Sequence, residues 1–293
     1  MDHLRTLLFV PGHRERMLEK APTAGADGLL YDLEDSVPHG ERDTARTMLA
    51  AALAQPVALP RYVRVNGIAD AGHEVTAADL DSVVVAGLDG IVLPKAQSAD
   101  EVRWASGELD RLEAARGIEA GRIEIVPMIE SALGVEFAYA ILTASPRVAS
   151  VIVGSAEDGD LQTDLGAEWS PEGVELLYAR SRILLAARAA GIEQPLDGVF
   201  PGLDDEDGLI QDCENARRLG YRGKTVIHPK QIAPVHAVFS PGEKEIAFYR
   251  EMIVAFEAAE AAGQGAFNFR GKMVDRAMVR KARGLLARFA PEG

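Results

Sequence analysis

The sequence predicts an α/β fold, a (β/α)8 TIM barrel with a C-terminal helical extension. Three observations carry this: eight short apolar runs, helix-compatible stretches between them, and a length of 293 residues that suits one such domain plus a tail. An open, doubly wound sheet is the alternative reading of the same alternation.

The first three runs are Thr6-Leu7-Leu8-Phe9-Val10, Gly28-Leu29-Leu30-Tyr31-Asp32 and Tyr62-Val63-Arg64-Val65. Residues 90–93, 123–128, 148–153, 198–200 and 224–227 continue the series. Each is short, rich in β-branched or apolar residues, and mostly closed by Gly, Pro or an acid, as expected of a strand buried on both faces. Between them, Ser98-Ala99-Asp100-Glu101 is a capping box, and Ser170-Pro171 is expected to open a long helix that Gly191 closes. A second capping box, Ser240-Pro241-Gly242-Glu243, starts a helix beyond the eighth strand, followed by a Gly-rich link (263–271) and a basic terminal helix. The expected division is a barrel over residues 1–238 and an extension over 239–293.

Composition is ordinary for a globular protein, 47% hydrophobic and 26% charged, so a core can form. The net charge of −14 disfavours nucleic acid and anionic membranes as partners. The one cysteine, Cys213, has no thiol to pair with, and no apolar run approaches a signal core or a membrane span; a reducing cytoplasm is the expected location.

In such a barrel the chemistry sits at the C-terminal ends of the strands. There the sequence is acidic: Asp32-Leu33-Glu34-Asp35-Ser36 after strand two, Glu130-Ser131 after strand five, and Gly154-Ser155-Ala156-Glu157-Asp158 after strand six. Converging carboxylates raise one another's pKa unless a cation neutralises them, and all-oxygen ligands suit a hard divalent metal, Mg2+ or Mn2+. The plainer reading is that some of these residues, Ser36 and Ser131 among them, cap the following helices. Arg64 and Lys95 emerge at the same face. An inward Arg64 can grip a substrate carboxylate through two parallel hydrogen bonds, or form a structural ion pair with Glu34 or Asp35. His228, between Ile227 and Pro229, is read as a structural hydrogen-bonding group.

Taken in order, Arg5 to Gly12, Asp32 to Val37, Val63 to Asn66, Pro94-Lys95, Glu130-Ser131-Ala132, Gly154 to Asp158, Gly220 to Lys224 and Ile227-His228-Pro229 resemble the citrate lyase β-subunits and the malyl-CoA and citramalyl-CoA lyases, a superfamily of aldolase-type barrels. The resemblance covers nearly the whole chain. It implies Mg2+ held by Glu130 and Asp158, with Arg64, Glu130 and Lys95 binding substrate. Gly271-Lys272-Met273-Val274-Asp275 resembles the motif whose aspartate is delivered from a neighbouring subunit of a trimer or hexamer, implying that Asp275 is catalytic; it also suits a helix cap. Glu34 and Asp35 are expected to orient these groups.

The implied activity is Mg-dependent cleavage or formation of a 3-hydroxyacyl-CoA, giving a 2-oxo acid and acetyl- or propionyl-CoA through a thioester enolate. Two alternatives are a thioesterase that releases free acid and a lyase subunit working on an acyl carrier protein. A binding protein without activity is disfavoured by the joint presence of Glu130, Asp158, Arg64 and Asp275. Phe269-Arg270 before Gly271 and Pro201-Gly202 after strand seven depart from the family pattern and bear on the acyl partner.

Overall fold

The computed structural model describes residues 3–290, so the outermost residues of the expected domain bounds, 1–2 and 291–293, lie outside it. The chain folds as two compact units that divide after His236.

In the first unit the strands are β1 (Thr6–Pro11), β2 (Gly28–Asp32), β3 (Arg61–Arg64), β4 (Gly90–Leu93), β5 (Glu124–Ile129), β6 (Val151–Val153), β7 (Pro195–Asp197) and β8 (Gly223–Val226). They pair in parallel in sequence order, and β1 closes on β8, so the sheet is a closed barrel and not an open one. The helices that follow the strands are α1 (Glu15–Lys20), α2 (Arg42–Ala54), α3 (Ile68–Val83), α4 (Ala99–Arg116), α5 (Ala132–Glu136), α6 (Ala138–Leu142), α7 (Asp160–Leu165), α8 (Leu177–Ala189) and α9 (Glu206–Leu219). A further helix, α10 (Ile232–Phe239), runs across the division between the units.

Leu7, Leu30, Tyr62, Val92, Val126, Met128, Ile152 and Leu196 fill the barrel interior as one buried cluster. Every residue of β2, β3 and β4 is buried, because one face meets this interior and the other meets the helices. Such strands show no apolar alternation, which is why they read as continuous runs.

Several elements differ from expectation. The expected seventh strand, 198–200, lies just past the observed one: residues 195–197 make the ladder to β6 and β8, and Val199 instead lines the cavity described below. The sixth starts at Val151 rather than 148, since Val148 forms only an isolated bridge to Ile125. The capping box at Ser98 is present, whereas Ser170 opens no helix: its hydroxyl bonds Glu175, and α8 begins at Leu177.

The second unit holds α11 (Glu243–Ala261), a two-stranded antiparallel sheet of β9 (Ala266–Phe269) and β10 (Lys272–Asp275), and α12 (Arg276–Phe289). Gly242 and not Ser240 is the N-cap of α11. The expected Gly-rich link is this hairpin; Arg270 and Gly271, with φ of 51° and 82°, supply its left-handed turn. Met252, Phe256, Val274, Val279 and Ala282 form its own buried core.

Candidate active site

Neighbouring strand ends bring the polar groups together. In the β2–β3 ladder Asp32 is the register partner of Arg64, so the two side chains emerge side by side. In the β5–β6 ladder Ile129 pairs with Val153, which sets Glu130 beside Gly154. A Cβ at Gly154 would lie 2.3 Å from Glu130 Cβ and 2.9 Å from its Oε2, so only glycine lets this carboxylate lie against the backbone of the next strand.

These ends line a cavity of about 430 Å3 bounded by Phe9, Asp32, Arg64, Met128, Glu130 and Ser155, with Asp160, Val199 and Ile227 at other points of its wall. Arg64 is its most constrained group. Its Nε and Nη2 grip Asp32 at 2.7 and 2.8 Å, its Nη1 lies 2.9 Å from Glu34 and 3.1 Å from Asp35, and Phe9 covers its face at 4.9 Å. The structural ion pair expected with Glu34 or Asp35 therefore exists, but the two-pronged grip goes to Asp32, which is itself held by the amides of Glu34 and Ser36. Ser36 is exposed and caps no helix, unlike Ser131, whose hydroxyl accepts from Gly134 N at the start of α5.

Lys95 sits in the left-handed region, with φ of 50°. Its amide donates to Glu130 Oε1 at 2.9 Å, and its ammonium reaches Asp70 at 2.5 Å, Asp160 at 3.4 Å and Glu34 at 3.7 Å. Six carboxylates, those of Asp32, Glu34, Asp35, Asp70, Glu130 and Asp160, thus gather around two cations, Arg64 and Lys95.

The electrostatics follow from that imbalance. Asp32 is buried, which opposes ionisation, yet Arg64 holds its carboxyl below the usual range. Burial pushes Glu34 up to about 8, Arg64 relieving part of this and Asp35 and Glu130 adding to it. Glu130 is pushed up to about 7, again by burial, with relief from Arg64 and the Lys95 amide and added repulsion from Asp160 and Asp35. Glu34 Oε2 makes its 2.9 Å ion pair with Arg64 Nη1 and has no hydrogen-bond partner among the described residues.

Two raised glutamates, more carboxylates than cations and an all-oxygen donor set fit a hard divalent cation. No group of three or more His, Cys, Asp or Glu ligands is assembled among the described residues.

Of the expected site residues, Arg64, Glu34, Asp35, Lys95 and Glu130 come together. Asp158 lies on the exposed turn between β6 and α7, in a left-handed conformation with φ of 54° that Asp tolerates better than most residues. Asp275 is exposed in the second unit, where its Oδ1 accepts from Met278 N and caps α12. His228 caps a short 3-10 turn through Nδ1, in keeping with a structural role. Sequence reasoning passed over Asp70 and Asp160 and, though it placed Asp32 and Ser155 in strand-end motifs, gave neither a role of its own. Asp32 was open to detection, as the last residue of its run beside an arginine on the neighbouring run.

Among the described residues no helix is long and apolar enough to cross a membrane. Residues 5–229 match the HpcH/HpaI aldolase/citrate lyase family. The chain is 40% identical over 286 residues to citrate lyase subunit beta of Escherichia coli K12, covering 97% of this chain and 92% of that protein. To a (3S)-malyl-CoA thioesterase of Cereibacter sphaeroides it is 37% identical, covering 97% and 94%. The crystal structure of the CitE protein of Mycobacterium tuberculosis with magnesium, acetoacetate and coenzyme A superposes with a TM-score of 0.76 at 30% identity, covering 98% of each chain. A citrate lyase beta subunit from M. tuberculosis complexed with oxaloacetate and magnesium gives a TM-score of 0.65 at 27% identity, covering 82% and 98%. The matched segment and the near full-length relatives show that this chain belongs to the HpcH/HpaI aldolase/citrate lyase family.

Proposed function

We propose that the protein is a Mg-dependent carbon–carbon lyase that interconverts a 3-hydroxyacyl-CoA with a 2-oxo acid and acetyl- or propionyl-CoA. The observation that carries this is the carboxylate-rich mouth in which Glu130 lines the cavity beside an Arg64 held from behind by Asp32. Support comes from the relatives: the CitE structures hold magnesium together with coenzyme A and oxo acids.

Glu130 and Asp158 are the residues we assign to hold Mg2+, with Mn2+ as a substitute. Bound there, the ion supplies the Lewis acidity that lowers the pKa of the substrate hydroxyl. Arg64 uses its Nη1 side to fix the substrate carboxylate, since Asp32 already occupies its fork. Glu34 and Asp35 orient that same nitrogen, and Lys95 positions Glu130 through its amide and adds a second positive charge.

In the cleavage direction the substrate hydroxyl gives its proton to water, the oxygen's electron pair forms the carbonyl of the 2-oxo acid, and the pair of the breaking C–C bond passes to the thioester enolate. Asp275 protonates the enolate carbon, or removes that proton in condensation. We assign it to the site of a neighbouring subunit in a homotrimer or hexamer, with the second unit as the part that delivers it.

Two specific relatives define the rival outcomes, a malyl-CoA thioesterase and a citrate lyase subunit. A panel of 2-oxo acids with acetyl- or propionyl-CoA and Mg2+, followed by mass spectrometry, separates them. A new hydroxyacyl-CoA is the expected product. Free CoA with a hydroxy acid assigns the thioesterase reaction instead. No product from CoA esters, with turnover on an acyl carrier protein thioester, assigns the carrier-dependent subunit.

A further inference from the structure

Lys95 stands just past the end of β4 and meets groups that follow four other strands. Its ammonium lies 2.5 Å from Asp70, in the first turn of α3 after β3, 3.4 Å from Asp160, which opens α7 after β6, and 3.7 Å from Glu34 after β2. Its amide donates to Oε1 of Glu130, after β5, at 2.9 Å. In its left-handed conformation, uncommon for a residue with a Cβ, the amide faces Glu130 while the side chain crosses to the other three carboxylates.

The two cations of the mouth are held differently. The fork of Arg64 is filled by Asp32, and both members of that pair are buried. Lys95 has no such exclusive partner: Asp70 and Asp160, with side chains 59% and 50% exposed, stay in contact with water, so the ammonium acts on them through its charge more than through a closed set of hydrogen bonds. Partial burial opposes that charge, but the hydrogen bond to Asp70 and the fields of Glu34, Asp160 and Asp35 raise the Lys95 pKa above its ordinary value, so the ammonium stays charged. Asp160 also lines the cavity and adds to the repulsion felt by Glu130. Lys95 therefore offsets the same negative charge that a cation at Glu130 would meet.

We infer that Lys95 is a tethered counter-cation: its ammonium neutralises part of the acidic mouth in advance and so competes with a divalent cation for the field of these carboxylates, setting a lower affinity than the carboxylates alone would give. The inference rests on the proposed reading in which the cation is held at Glu130, and it is independent of which other carboxylate shares the ion. Removing a unit charge this close to a divalent ion changes the ion's affinity by roughly tenfold or more, even with solvent screening.

The test is Mn2+ binding to the whole protein without substrate, read by electron paramagnetic resonance, for wild type, Lys95→Met, Lys95→Gln, Lys95→Arg and Glu130→Gln, each shown to be folded by circular dichroism. Lys95→Met and Lys95→Gln are expected to bind Mn2+ at least about tenfold more tightly than wild type, and Lys95→Arg, which keeps the charge, to stay within about threefold. Where Lys95→Met does not fold, Lys95→Gln, which can still donate to Asp70, gives the reading. A residue that only braced the loops around it would weaken the ion when replaced, so the direction of the change separates the two roles. Binding by Lys95→Met and Lys95→Gln that equals or falls below wild type, while Glu130→Gln loses the ion, overturns the inference and leaves the metal reading standing. Equal binding by wild type and Glu130→Gln, or no saturable binding in any of these proteins, overturns both.

Discussion

Asp32 offers the sharpest perturbation of the site, because it anchors Arg64 with both oxygens and is 1% exposed. Asp32→Ala deletes four hydrogen bonds, two from Arg64 and one each from the amides of Glu34 and Ser36. Removing one partner of a buried ion pair costs about 3–5 kcal/mol. Arg64 keeps Glu34 and Asp35, so the expected loss lies at the lower end, about 3 kcal/mol. Arg64→Met alone strands Asp32 and costs a similar amount. The double variant leaves neither charge of the pair behind, so it is expected to lose well under the sum, with a coupling of roughly 2 kcal/mol. Urea denaturation without divalent cations, followed by circular dichroism, measures all three. A coupling below about 0.5 kcal/mol, the range found for independent sites, would refute the view that Asp32 is what holds Arg64 in place.

Further outcomes follow from the same geometry. Glu34 and Glu130 are raised to about 8 and about 7, above their unfolded value of 4.5, so cation binding at pH 7 is expected to release protons and to weaken from pH 8 to pH 6. Calorimetry in two buffers of different ionisation enthalpy detects the release, and identical heats would reject it. Because these carboxyls bind protons more tightly when folded, their contribution to metal-free stability is present below pH 4.5 and lost as pH rises through 7 and 8, so Mg2+ should raise Tm more at pH 8 than at pH 6. Gly154→Ala puts a carbon 2.3 Å from Glu130 Cβ and is expected to abolish Mn2+ binding while leaving a folded barrel; unaltered binding would show that Glu130 need not lie against that strand. Asp275→Ala and Arg64→Ala are each expected to be inactive alone and to regain part of the activity when subunits are mixed and exchanged, whereas failure to complement would place Asp275 in its own chain's chemistry or outside it.

Much of the barrel could be recognised in the chain itself, because strands buried on both faces must be uniformly apolar and because the residue after each run must deal with a strand end. Gly28–Asp32 and Gly90–Leu93 are therefore found where the runs stand. Runs such as 148–153 and 198–200 mislead at their ends, since apolar residues also continue into bridges and cavity walls, and only ladder hydrogen bonds tell the two apart. The hairpin of the second unit escaped because a Gly-rich segment reads as a link, while only the four residues of β9 alternate exposed with half-buried positions, too briefly to show a period, and β10 buries Val274 alone.

The sequence by itself determined that acids and two bases stand at one end of eight strands, because strand order and strand ends are local properties of the chain. It could not determine their pairings. That Arg64's fork belongs to Asp32 rather than to Glu34 or Asp35 follows from the β2–β3 register, and that Lys95 meets carboxylates that follow β2, β3 and β6 follows from the order in which the eight strands pair. Both are set by hydrogen bonds between segments far apart in the chain, and it is barrel closure that decides which carboxylates are desolvated and which are neutralised.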